Sequence, residues 1–235
     1  MFAGMNVKRN IPNLITCMNL LCGCLGIVFV FKESNHLAYS ALFIVMAAVF
    51  DFLDGLIARL LNVHSEIGKQ LDSLADMVSF GMLPGFMMVG LINASFQNQQ
   101  QYSFHLAYLA LLIPVFSALR LAKFNIDNRQ TDSFIGVPTP ANSILIASFP
   151  FLPICNPWLL IAVTIAMSFL LVSEIPLFAL KFKDFSWRKN KIRYVFLGAV
   201  LLLLIILHFL AIPFIILLYL LLSFASNISN KTKNA

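Results

Sequence analysis

Stretches of roughly twenty apolar residues recur along nearly the whole chain, and this limits the fold more than any other feature of it. Read as helices, they fall at about 13–31, 37–60, 70–94, 104–124, 141–155, 157–176, 192–208 and 210–226. A hydrocarbon core about 30 Å thick is spanned by roughly 20 residues of helix. In lipid every backbone N–H and C=O must find its partner within the protein, which leaves helices and closed barrels. The runs are continuous rather than alternating, which argues against barrel strands. Apolar residues make up 60% of the 235 and charged residues 11%, against about 45–50% and about 25% in soluble domains. A soluble domain, a disordered tail and a disulfide scaffold are thereby excluded. The expectation is an all-α polytopic membrane bundle, one domain over residues 1–235, with about eight transmembrane helices. The fifth run is short and bounded by prolines, and the last two are divided only at His208 and Pro213, so seven spans is the fallback.

The charges test that count. With eight spans both termini lie on one side, and fifteen of the sixteen Lys and Arg residues join them there, from Lys8 and Arg9 to Lys231 and Lys233; only Lys32 falls opposite. Basic loops stay in the cytoplasm, so both termini and the basic loops are expected there. The net charge of +6 therefore points to anionic lipid, not nucleic acid. The loop 177–193, basic with Phe and Trp interspersed, is expected to lie against lipid headgroups, and the segment 1–12 to lie flat at the interface before Pro12. Cys17, Cys22, Cys24 and Cys155 sit in apolar stretches and read as small apolar filler. The first apolar run is long and is followed by others, so it reads as a retained helix.

Against this background four acids are out of place. Asp51, Asp54, Asp72 and Asp76 lie inside or at the ends of two adjacent runs. A carboxylate at mid-membrane costs about 2.5–3.5 kcal/mol, so four unpaired ones cost on the order of 10 kcal/mol. Arg59 is the nearby cation within the spans, and one cation does not neutralise four carboxylates; bound metal ions are the natural completion. Asp51 and Asp54 are three apart and Asp72 and Asp76 four apart, so each pair shares a helix face. The short connection between the runs makes the helices neighbours, with the pairs facing across their seam near the cytoplasmic side. Hard oxygen ligands suit Mg²⁺, Mn²⁺ or Ca²⁺, and two such ions suit displacement at phosphorus. Gly55, Ala58 and Gly68 leave room beside the acids for a ligand or for close packing. The same acids also suit the ion or proton path of a small transporter, although no internal repeat of the kind such proteins show is evident.

The string Asp51-x2-Asp54-Gly55-x2-Ala58-Arg59-x8-Gly68-x3-Asp72-x3-Asp76 resembles the signature of the CDP-alcohol phosphotransferases at all eight fixed positions and every spacing. That resemblance implies transfer of a substituted phosphate from a CDP-linked donor to an alcohol, with CMP leaving. It implies that Asp51, Asp54, Asp72 and Asp76 hold two divalent cations, Mg²⁺ or Mn²⁺, against the pyrophosphate, and that Asp76 is also the general base. Gly55, Ala58 and Gly68 would line the cytidine pocket and Arg59 would help neutralise phosphate. A homodimer in the cytoplasmic membrane, with the active site facing the cytoplasm, follows from the same resemblance.

The acceptor is addressed by other stretches. Residues 118–125, Ala-Leu-Arg-Leu-Ala-Lys-Phe-Asn, and 134–141, Phe-Ile-Gly-Val-Pro-Thr-Pro-Ala, look like the phosphatidylserine synthase branch of that family, as do Pro12–Thr16 and Asn19–Gly23. This implies CDP-diacylglycerol as donor and L-serine as acceptor. Arg120 would take the serine carboxylate in a two-point fork and Asn125 would add a hydrogen bond. Glycerol phosphate, inositol phosphate and choline are the alternative acceptors. Lys123 and Arg129 read as topology-setting cations. Asn13 and Thr16 either contact cytidine or cap the first helix. His64 reads as a solvated loop residue, His36, His105 and His208 as helix-end markers, and Glu174 as a structural acid at the cytoplasmic end of the sixth helix.

Overall fold

The computed structural model describes residues 7–32, 36–63, 65–96, 105–127, 133–153, 156–178 and 187–234. The chain is mostly helical. In order come α1 (Val7–Val30), α2 (Leu37–Leu60), α3 (Glu66–Asp76), a π-helical turn (Met77–Met82), α4 (Leu83–Ser95), α5 (Leu112–Ile126), β1 (Ser133–Ile135), α6 (Thr139–Ser148), α7 (Pro157–Val172), β2 (Pro176–Phe178), α8 (Trp187–Leu207) and α9 (Ala211–Asn234). Among the described residues, four helical stretches are long and apolar enough to cross a membrane: Asn10–Val30, Leu37–Leu60, Glu66–Ser95 and His105–Ile126. Pro157–Val172, Arg193–Leu207 and Ala211–Ala225 are apolar but shorter.

Several boundaries differ from those expected. Helix α1 begins at Val7 and carries Pro12 inside it, so the segment before Pro12 is in part the first turns of the helix. The fifth run was expected to reach 155, but α6 ends at Ser148 and gives way to a 3₁₀ turn at Phe149–Phe151. Pro150 supplies no N–H to continue the helix, and Pro153 displaces the residue before it from the helical region, Leu152 being extended (φ −104°, ψ 143°). The sixth apolar run, which forms α7, stops at Val172 rather than 176. Ser173 is extended (φ −63°, ψ 148°), and Pro176 opens a strand that pairs antiparallel with β1, Ile135 opposite Pro176 and Phe134 opposite Leu177. This short ladder is a departure from an all-helical chain. The expected basic loop 177–193 is shorter, because β2 runs to Phe178 and α8 starts at Trp187; its centre lies outside the described residues, as do His64, Arg129 and Cys155. The break between the last two helices falls at His208, which has φ +50°.

The third span positions the site. From Glu66 to Ser95 it runs as one helix interrupted by the π turn, where Leu83 N–H reaches back to Val78 O. Pro84 follows immediately and would strike the carbonyl four residues before it in a regular helix; the wider turn relieves that conflict. Below the turn the helix carries Asp72 and Asp76. Phe80 within the turn and Leu83, Met87, Met88 and Ile92 above it are wholly buried and form the core with Ile44 and Ala47 of α2, Ile113 of α5, Ile146 of α6 and Leu160 of α7. Large apolar side chains such as Leu14, Val28, Phe52, Leu201 and Ile205 are exposed along the outside, as a lipid-facing surface requires. Helix α1 packs along α2 and also against α3 and the π turn.

Candidate active site

The acids meet as their spacing suggests, with one difference. Asp51 of α2 and Asp72 and Asp76 of α3 each offer a carboxylate oxygen within 4.8 Å of the others. Asp54 is buried and accepts a hydrogen bond from Thr16 Oγ1 of α1 at 2.7 Å. Asp76 Oδ1 accepts from Asn19 Nδ2, also of α1, at 3.3 Å. The seam between α2 and α3 is therefore faced by a third helix whose polar residues hold one acid from each pair. Unit charges 4.8 Å apart repel by about 3 kcal/mol at an effective dielectric of about 20. Three carboxylates in this arrangement call for cations, and an all-oxygen donor set fits a hard divalent ion. Arg59 does not supply the charge directly: its Nε donates to Gly55 O at 2.9 Å, folding the arm along its own helix.

Beside the acids lies a cavity of about 560 Å³, lined by Pro12, Asn13, Thr16, Asp54, Gly55, Ala58, Val63, Ser65, Glu66, Gly68, Lys69 and Asp72. It brings together Asn13, Thr16, Gly55, Ala58 and Gly68, the residues expected to line a nucleotide pocket. A side chain on Gly55 would meet only Arg59 Nη2, at 3.8 Å, so Gly55 is open cavity wall. Gly68 is different: a Cβ there would lie 2.7 Å from Ser65 Oγ and 2.8 Å from Asn13 Oδ1. Ser65 caps α3 by accepting from Gly68 N–H at 2.9 Å. The bare backbone at Gly68 thus lets the start of α3 close on α1. The positive end of that helix dipole faces the cavity, where it favours an anion.

The acceptor-side residues separate. Arg120 is only 6% exposed. Its Nη1 lies 3.5 Å from Thr139 Oγ1 of α6, and the guanidinium stands 5.8 Å from the Phe124 ring centroid. Among the described residues its Nε has no hydrogen-bond partner, and its charge interacts with that of Asp76. Arg120 also lines a second cavity of about 350 Å³ with Lys123, Ile126, Asp127, Ile135, Leu171, Val172, Ser173 and Glu174. Asn125 points elsewhere: its Nδ2 donates to Ser73 Oγ at 2.8 Å and its carbonyl accepts from Lys69 Nζ at 3.2 Å. It braces the end of α5 against α3, between the two acids of that helix.

Sequence reasoning gave no role to Asn19, Thr139 or Asn142. Asn19 lies three residues after Thr16, on the same helical face, and is a polar residue in an apolar run, a signal that was legible. Asn142 is wholly buried on α6 with neither amide atom partnered; one asparagine near a proline turn carries no comparable signal.

Comparisons with known proteins bear on this geometry. A profile of the family described as CDP-alcohol phosphatidyltransferase matches residues 9–173, a stretch that includes all four acids and ends one residue before Glu174. Over 169 residues the chain is 37% identical to the CDP-diacylglycerol–serine O-phosphatidyltransferase of Bacillus subtilis (strain 168), covering 70% of this chain and 88% of that protein. It is 31% identical over 167 residues to the protein of the same name from Methanocaldococcus jannaschii, covering 70% and 72%. A third of that name, from Helicobacter pylori (strain J99), is 37% identical over 138 residues, 57% of this chain and 54% of the relative; the chain matches about half the length of that protein.

Proposed function

This chain belongs to the CDP-alcohol phosphatidyltransferase family, and from that premise we propose that it transfers the phosphatidyl group of CDP-diacylglycerol to the hydroxyl of L-serine, giving phosphatidylserine and CMP. The observation that carries the chemistry is the trio of carboxylates within 4.8 Å beside a 560 Å³ cavity. Asp51, Asp72 and Asp76, with Asp54, would hold two divalent cations, Mg²⁺ or Mn²⁺. When bound, these ions neutralise the pyrophosphate and stabilise charge on the attacking and leaving oxygens. The cavity takes the cytidine and pyrophosphate, with Gly55 and Ala58 as wall and the start of α3 as an anion-favouring end. Thr16 and Asn19 keep Asp54 and Asp76 in register. Asp76 accepts the serine hydroxyl proton as the oxygen–phosphorus bond forms and the bond to CMP breaks. Arg120 holds the serine carboxylate, and Arg59 swings from Gly55 O to the phosphates.

The same reading places the protein in the cytoplasmic membrane as a homodimer, with about eight spans, both termini and the active site on the cytoplasmic side. The fifteen-to-one distribution of basic residues supports that orientation.

The test is CMP release from CDP-diacylglycerol by purified protein in detergent, with each candidate alcohol in turn. Serine alone should support rapid release. EDTA should abolish it, and Mg²⁺ or Mn²⁺ should restore it. Full activity after exhaustive chelation would remove the metals from the mechanism, and preference for glycerol phosphate would remove serine.

A further inference from the structure

The second cavity lies between two helix ends. The end of α5 brings Arg120 and Lys123, with Asp127 just past it; the end of α7 leads into Ser173 and Glu174. At about 350 Å³ it lies at the small end of ligand pockets, roughly 300–1,000 Å³. Arg120 is more than nine-tenths buried there with its Nε unpartnered, so a ligand carboxylate would supply a partner that the protein does not. We infer that this cavity seats the acceptor as a whole zwitterion, and that Glu174 selects an amino-acid acceptor by taking its ammonium while Arg120 takes its carboxylate. The inference rests on serine being the acceptor.

An ammonium brought between Arg120 and Lys123 without a facing anion would be repelled by both and lose its water. Glu174 stands on the opposite wall. Asp127 also lines the cavity, but on the α5 side, where its N–H closes the helix on Lys123 O at 3.0 Å. The position of Glu174 is built by contacts that are distant in sequence. Gly136 N–H donates to Ile175 O and Val137 N–H to Leu170 O, each at 3.0 Å, on either side of it. Ser173 Oγ donates to Leu170 O at 2.9 Å. Gly136 is at φ +72°, and a Cβ there would lie 2.6 Å from Leu171 O and 2.9 Å from Ser173 O. The turn that joins β1 to α6 thus clamps the segment that carries Glu174.

The experiment compares L-serine with glycerate, in which a hydroxyl replaces the ammonium, using full-length protein, CDP-diacylglycerol and Mg²⁺ or Mn²⁺. Glu174→Gln should raise the serine KM at least tenfold, leave the CDP-diacylglycerol KM unchanged, and reduce the serine-to-glycerate ratio of kcat/KM by tenfold or more. Glu174→Asp should recover part of that ratio. Gly136→Ala should reproduce the loss without altering a charge, and Asp127→Asn should leave the ratio within twofold. An unchanged ratio in Glu174→Gln, or a loss produced by Asp127→Asn instead, overturns the assignment while leaving the serine reaction in place. If Glu174→Gln does not fold, Glu174→Asp decides, an unchanged ratio there counting against the inference. A wild-type protein that uses another alcohol and not serine overturns both this inference and the function it rests on.

Discussion

Asp76 occupies the most heavily loaded position in the site, on the carboxylate trio, beneath Asn19 and within reach of the Arg120 charge. If it is the base, Asp76→Asn should lower kcat by about 10²–10⁴. Three carboxylates would remain, so CDP-diacylglycerol should still bind, as a titration with a fluorescent donor analogue would show. Thr16 is a narrower test. Its hydroxyl serves Asp54 at 2.7 Å, and a hydrogen bond to a charged group is worth about 1.5–3 kcal/mol. Thr16→Val should therefore raise the donor KM about tenfold or more and leave the serine KM alone; steady-state kinetics with both substrates varied separates the two. At Gly68 the contacts of 2.7 and 2.8 Å leave no room for a methyl group. Gly68→Ala should cost about 1–3 kcal/mol as the start of α3 is pushed off α1, seen as a lower Tm and weaker donor binding together.

Among the elements, what was legible and what was not follow from the range of the interactions. The four acids stood out because an apolar background makes each one costly, and spacings of three and four residues put each pair on one face. The partner helix was not legible: α1 holds Thr16 and Asn19 against acids 38 and 57 residues away, and no local pattern announces such a pairing. The β1–β2 ladder has three residues per strand, too few for an alternating pattern to emerge. It is fixed by Gly136 N–H reaching Ile175 O, a contact between distant residues that no local pattern announces. The π turn was hidden because its cause, Pro84 after Gly81, also suits a plain kink. Asn125 shows the same limit, since its string resembled an acceptor site while its side chain braces Ser73. Asn125→Ala should loosen α5 against α3 and lower kcat several-fold with both KM values nearly unchanged, which a direct serine contact would not do.

Across the whole molecule, the two cavities draw on stretches of chain that do not overlap. The larger uses residues between Pro12 and Asp72, the smaller residues between Arg120 and Glu174, and Asp76 falls between the two stretches in sequence. On the proposed function, the first half of the protein would carry the chemistry common to every donor with a cytidine diphosphate handle, and the second the choice of alcohol. Such a division makes the halves exchangeable. A chimera that keeps residues 1–116 and takes the rest from a family member with a different acceptor should release CMP with that member's alcohol and retain this chain's donor KM. Lineages that recombine at the start of α5 would acquire a new headgroup in one event, with no need to rebuild the site that breaks the pyrophosphate.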